Sequence, residues 1–368
     1  MSSREYAADE LRAVLSGMGV ADVTSAARYG SGHINDTFKV DLSLGGVPVS
    51  YVLQRINDGI FTRPDRVMEN IARVTNHIRG KFAGAADATR RTLTVIPARD
   101  GQPVARGPEG GWWRMYMFIS GARTIDLIEN ADQARKAARA FAGFQNALAD
   151  LPAPRLFETI PNFHNTLSRL EQLDTAAAED KMGRKASVAD ELAFVDAHRE
   201  EAGKIVKMMA AGEIPERITH NDTKINNVML DDATGEGVAV IDLDTVMPGC
   251  ALYDFGDMVR TSTAAAAEDE KDLSKVFSRK EYFEALVKGY LSEAKFLTDV
   301  EKENLAFSGR LITFTIGIRF LADYLAGDTY FRTAYPEHNL VRCRTQFKMV
   351  ASMEAQKDEY EAIVRAGA

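Results

Sequence analysis

The sequence predicts an α+β chain of two lobes: a small antiparallel-sheet lobe over residues 1–118 and a larger, mostly helical lobe over residues 119–368. Three observations predict it. Strand-like alternation is confined to the first third of the chain, helical stripes dominate the remainder, and one hairpin pattern bracketed by polar residues interrupts the helices.

In the first lobe, residues 24–29, 36–42 and 47–56 alternate or run apolar between glycine-containing turns, as strands do, and residues 93–97 and 112–119 read the same way. Between them Val67, Ile71, Val74 and Ile78 recur at helical spacing, with Pro64 in the first turn. Beyond residue 120, helical stripes run over 134–148, 192–209, 282–291, 305–325 and from Leu340 toward Tyr360. Thr298 and Glu301 form a capping-box pattern ahead of the long apolar stripe, and Gly327 can end it. No internal repeat or low-complexity tract is seen.

Composition excludes several classes of function. With 368 residues, 45% hydrophobic and 27% charged, the chain can bury real cores. Forty-five Lys and Arg against 53 Asp and Glu give a net charge of −8, spread along the chain, which argues against nucleic acid or an anionic membrane as partner. Two cysteines, Cys250 and Cys343, are too few for a disulfide framework. The start lacks an apolar signal core, and the greasiest stretch, 311–325, is broken by Arg319 and Asp323, so a cytoplasmic enzyme without a membrane span is expected.

The most informative run is Thr219-His220-Asn221-Asp222-Thr223-Lys224-Ile225-Asn226-Asn227, which reads His-x-Asp, four residues, Asn. That is the pattern of a phosphoryl-transfer loop. Asp222 is the candidate to accept the proton of an attacking hydroxyl, and the Asn227 amide oxygen to hold a metal beside phosphates. His220 reads as a brace of the loop, and Lys224 either meets the transferring phosphate or faces solvent. The hairpin that follows, 228–230 and 238–241 joined by an Asp/Gly turn, returns the chain to its start and delivers Asp242-Leu243-Asp244. Asp242 is therefore the candidate metal partner of Asn227, with Asp244 a second-metal candidate, and magnesium suits such hard oxygens. Asp254-Phe255-Gly256 spells a metal-binding tripeptide of protein kinases, but it follows a loop rather than the closing strand of the hairpin. Capping a helix or bracing the loop suits Asp254 better.

The layout places a nucleotide in the first lobe. Gly30, Ser31, Gly32 and His33 lie between two strand signals, where small residues let backbone amides approach phosphates. No Gly-x4-Gly-Lys-Ser/Thr run is present. Arg55, at the end of the third strand, is the candidate cation for the α and β phosphates, with Glu69 to orient it, and adenine is expected at the backbone near Phe118.

These residues resemble the aminoglycoside phosphotransferase and choline kinase group of small-molecule kinases, whose fold is similar to that of protein kinases. Within that group the sequence looks most like the bacterial N-acetylhexosamine 1-kinases, on the 220–227 loop, the stretch Ile241 to Gly249, Tyr253 to Asp257, Gly30 to Asn35, Phe163 to Thr166, Arg319 to Tyr330 and His338 to Arg342. The resemblance implies a protein-kinase-like two-lobe fold. It also implies ATP- and Mg2+-dependent phosphorylation of the anomeric hydroxyl of N-acetylglucosamine or N-acetylgalactosamine, by a monomer or small homo-oligomer. Arg319 and Tyr330 are its implied sugar-binding residues, while His164 either contacts substrate or plays a structural part; pairing of Arg319 with Asp323 is the plain alternative. Competing readings keep the fold and change the acceptor to an aminoglycoside, choline, homoserine or another sugar. A further one makes the chain a non-catalytic nucleotide-binding regulator.

Overall fold

The computed structural model describes residues 6–30 and 34–367. The chain divides into two compact units: one holds the residues up to Arg123 with Asp150–Ile160 and Met229–Met247, and the other holds the rest.

The first unit opens with α1 (Ala8–Gly17), a helix with no counterpart among the expected elements. Its sheet comprises β1 (Val23–Arg28), β2 (Asp36–Leu44), β3 (Val47–Arg55) and, after helix α2 (Pro64–Lys81), β4 (Val95–Ile96), β5 (Ala105–Arg106) and β6 (Trp112–Met117). The order is β1-β2-β3-β6-β4, antiparallel throughout, with β5 also on β6. β2 and β3 pair from Asp36 opposite Arg55 to Leu44 opposite Val47. The two-residue turn between them is Gly45-Gly46, with φ of 57° and 86°, the left-handed geometry that a tight hairpin of this twist demands. Alternation splits the sheet into two faces. Phe38, Val40, Leu42, Leu53, Trp113 and Met115 pack with Leu11, Val14, Leu15 and Met18 in and after α1. The residues between them, including Gln54 and Arg114, take the other face, where Arg114 meets Met68 of α2.

Val67, Ile71, Val74 and Ile78 of α2 are all buried, as their spacing requires. Asn70 on that helix is fully buried; its amide donates to the carbonyls of Phe157 and Val246 at 2.8 and 3.0 Å and accepts from Phe157 N, which ties two later segments into this unit. The short strand β7 (Ala122–Arg123) pairs with β8 (Val228–Asp231), and β8 with β9 (Gly237–Val240), which is the expected hairpin.

The second unit holds α3 (Ala131–Leu148), α4 (Thr166–Glu179), α5 (Ala189–Ala202), α6 (Lys204–Ala210), α7 (Ala251–Ser262), α8 (Lys280–Glu293), α9 (Asp299–Glu303), α10 (Leu305–Ala326), α11 (His338–Ala355) and α12 (Lys357–Gly367). The stripe expected over 192–209 is two helices divided at Gly203, and the C-terminal stripe is divided at Gln356. Thr298 and Glu301 do form a capping box, and Gly327 ends α10 at φ 102°. α10 is the central helix, packed on α11, α7 and α4. It is long and apolar enough to cross a membrane, yet 72% of its apolar window is buried inside the protein. Helices approach closely at glycines: a Cβ on Gly289 of α8 would fall well inside contact distance of the Arg135 carbonyl of α3, and one on Gly256 of α7 inside that of Ser308 on α10.

Candidate active site

In the second unit the site is built on the 219–227 loop. Asp254, fully buried in the first turn of α7, accepts from His220 N at 2.8 Å and Asn221 N at 2.7 Å, and from the Gln145 amide at 2.6 Å; its own carbonyl accepts from the Thr223 hydroxyl. Asp254 thus clamps the loop. Burial pushes its carboxyl up to about 6, against the pull of His220 and the three N–H donors. Asn221 sits at φ 65°, a left-handed backbone that an asparagine tolerates and that the clamp enforces. Gly249 completes the packing, since a Cβ there would fall inside contact distance of the Thr219 hydroxyl.

The clamp sets the side chains. The buried His220 ring lies edge-on to Phe141 and Phe144, and its Nδ1 accepts from Asp222 N at 3.3 Å, so it braces the loop. Asn227 donates through Nδ2 to the Asp222 carbonyl and carboxylate at 2.8 and 3.1 Å. Burial works against the Asp222 charge, but Lys224 at 3.0 Å, with His220 and Arg260, outweighs it and holds the carboxyl below the usual range. Asp257 receives Thr223 N at 2.9 Å and Arg260 at 2.9 Å, and Arg260 also pairs with Glu268. His164, buried at the entry to α4, donates through Nε2 to the Asn221 carbonyl at 2.8 Å. Burial lowers its pKa to about 4, so it is a neutral brace.

Arg319 lies 5.1, 5.7 and 5.4 Å from the ring centroids of Phe163, Tyr330 and Phe331 and donates to the Tyr330 hydroxyl at 3.4 Å. It does not pair with Asp323. That carboxylate accepts from the backbone of Thr329, Tyr330 and Phe331 and from Asn339, and so shapes the turn that presents Tyr330.

In the first unit, Asp242 is exposed at φ 58°, a left-handed backbone that aspartate tolerates better than most residues, and its charge is felt by Arg114 and Tyr116. Asp244 is different. It is 3% exposed, both its oxygens bond the Arg114 guanidinium, and Oδ2 also accepts from Asn35 at 2.7 Å. Three hydrogen bonds and the paired Arg114 charge make it a buried pin, which departs from the expected second-metal ligand. Burial alone would lower the Arg114 pKa, but the charge of Asp244 raises it.

Two further expectations are corrected. Arg55 shares its sheet face with Leu53 and lies beside Trp113 and Gly111, where a Cβ would sit 2.8 Å from its Nε; that is the α1 side, away from Gln54, Arg114 and Asp244. Glu69 is exposed on α2 and makes no ion pair among the described residues, while its neighbour Met68 takes the inward position against Arg114. Lys39, on the Gln54 and Arg114 face, was not foreseen; its ammonium lies 5.2 Å from the ring centroid of Phe118. Phe118 continues the edge of β3 through its N–H to the Ser50 carbonyl and meets Tyr29 edge-on. Gly30 has φ 80°, whereas Ser31, Gly32 and His33 lie outside the described residues. Arg114 escaped the sequence reading, and Asn35 and Asp257 entered it only as ends of matching segments with no role assigned; the Asp257 to Arg260 spacing on one helix carried a local signal.

Residues 25–290 match the model of the phosphotransferase enzyme family, so the chain belongs to that family. Its protein-kinase-like fold recurs in an aminoglycoside phosphotransferase from Alicyclobacillus acidocaldarius, at 13% identity and a TM-score of 0.58, covering 99% of this chain and 98% of that one. Spectinomycin phosphotransferase, in complex with ADP and spectinomycin, aligns at 14% identity and a TM-score of 0.56 over 97% and 100% of the two chains. An ethanolamine kinase from Plasmodium vivax aligns at 13% and 0.56 over 88% and 82%.

Proposed function

We propose that the chain transfers the γ-phosphoryl group of ATP to the anomeric C1 hydroxyl of an N-acetylhexosamine, N-acetylglucosamine or N-acetylgalactosamine, giving the sugar 1-phosphate. The observation that carries this reading is Asp222, a carboxylate kept charged by Lys224 within a loop clamped by Asp254. A bond forms between sugar O1 and the γ-phosphorus as the bond to the bridging β,γ oxygen breaks; the hydroxyl proton passes to Asp222 and ADP leaves. Lys224, paired with Asp222, is assigned to the charge on the transferring group. Asn227 and Asp242 offer the hard oxygens that magnesium takes, and the ion, when bound, neutralises phosphate charge. Gly30 with Ser31, Gly32 and His33 is assigned to the phosphates, Phe118 to the adenine, and Lys39 replaces Arg55 as the cation offered to the nucleotide.

Arg319 and Tyr330 are assigned to sugar hydroxyls and the acetamide. Positive charge from Arg169 and Arg319 opposes a polycationic aminoglycoside or a choline head group. The test is ADP release with ATP, magnesium and a panel of N-acetylglucosamine, N-acetylgalactosamine, galactose, choline and kanamycin. The two N-acetylhexosamines are expected to lead the panel; no turnover of either sinks the reading.

A further inference from the structure

Most shielded arginines of the second unit meet carboxylates, Arg260 with Asp257 and Glu268, Arg217 with Glu301 and Arg310 with Glu201, while Arg279 is held by the carbonyls of Ser262, Thr263 and Ala264. Even the cluster of His198, Glu201 and Glu354, whose ligand atoms lie within 4.8 Å of one another, is satisfied by Arg310. Arg169 and Arg319 differ. Arg169 donates to the Phe163 carbonyl at 3.2 and 2.9 Å and to Gln172 at 2.9 Å. Arg319 donates to the Tyr330 hydroxyl and lies over the Phe163 ring. Neither makes an ion pair among the described residues.

The two side chains therefore share Phe163 as a neighbour, Arg169 at its carbonyl and Arg319 over its ring, and Arg169 feels the charge of Arg319. Each bears the cost: burial and then the charge of Arg319 lower Arg169 to about 10, and burial lowers Arg319, with Arg260 adding to it. Tyr330, beside them, is 56% exposed, so the pair adjoins solvent. Two desolvated cations without a counter-ion are a standing electrostatic cost that a bound anion would relieve, and a guanidinium fork recognises a planar oxyanion in particular.

Resting on the sugar-kinase reading of the same site, we propose that Arg169 and Arg319 form an oxyanion subsite for a carboxylate carried by the acceptor, which makes acidic sugars better acceptors than their neutral counterparts. Neutral N-acetylhexosamines then engage Arg319 through neutral acceptors only and leave the two positive charges uncompensated. A free oxyanion such as inorganic phosphate shares the chemistry and is the alternative occupant.

The experiment compares kcat/KM for N-succinylglucosamine with N-acetylglucosamine, and for glucuronate with glucose, in the wild type and in Arg169→Gln, with inorganic phosphate as competitor in a parallel series. At least one acidic acceptor is expected to exceed its neutral partner by about tenfold, with that ratio falling toward one in the variant. Ratios of one or less for both pairs, or a preference unchanged by Arg169→Gln, overturn the proposal. Inhibition by phosphate that needs Arg169, without any acidic preference, also overturns it and assigns the subsite to a free anion. Thermal unfolding checks that the variant is folded, and Arg319→Gln replaces it if it is not. Should no sugar be phosphorylated, the kinase reading falls while the subsite is still decided by calorimetric titration: glucuronate binding more tightly than glucose, through Arg169, supports it, and equal binding refutes it.

Discussion

Asp222 on the loop and Asp254 in the first turn of α7, which clamps that loop, are set to opposite protonation tendencies by their surroundings. Lys224 keeps Asp222 ionised, whereas burial lifts Asp254 to about 6. Asp222→Asn removes the proton acceptor but not the loop's fold, so kcat is expected to fall by about 10²–10⁴-fold with ADP binding retained in a calorimetric titration. Below pH 6 Asp254 gains a proton and turns one acceptor oxygen into a donor facing N–H groups, which loosens the clamp. Activity is therefore expected to drop as pH falls through about 6 and to stay level above it, since Asp222 titrates lower. A pH–rate profile of Asp254→Asn checks the origin: activity is lower throughout and the limb near 6 is gone. A limb that survives the substitution belongs to another group.

At the level of elements, close contacts decide what can change. Gly289→Ala drives a Cβ into the Arg135 carbonyl between α8 and α3, and is expected to destabilise by about 1–3 kcal/mol in urea unfolding. Gly143→Ala, on α3 with nothing within 4 Å of the added carbon, is expected to stabilise by about 0.5–1 kcal/mol in the same assay. In the sheet, Arg114→Met strands the buried Asp244 charge and should cost about 3–5 kcal/mol, most of it recovered in the double variant with Asp244→Leu. Elements with a one-sided apolar stripe, such as α2, were legible in the sequence, as was the capping box of α9. α7 was not, because nearly every residue from Ala251 to Ser262 is buried and no polar face marks its period. α4 hides for another reason: two alanines and a threonine make up most of its five buried residues.

Across the whole molecule, the local parts of the site were readable and the distant ones were not. His220, Asp222 and Asn227 lie within one loop, and the hairpin turn announces Asp242. Arg114 meets Asp244 across 130 residues, a pairing no local pattern contains. Arg55 misled because position along a strand was used without its face: one residue along, Gln54 points to the opposite side of the sheet. The net charge of −8 likewise gives no hint of the uncompensated Arg169 and Arg319. The central claim, phosphoryl transfer to an anomeric hydroxyl through Asp222, is tested most directly by proton-coupled phosphorus NMR of the product from N-acetylglucosamine, ATP and magnesium. The account requires a phosphorus signal coupled to the anomeric proton H1, formed by the wild type and not by Asp222→Asn; coupling to the H6 protons, or ADP formed without any sugar phosphate, would contradict it.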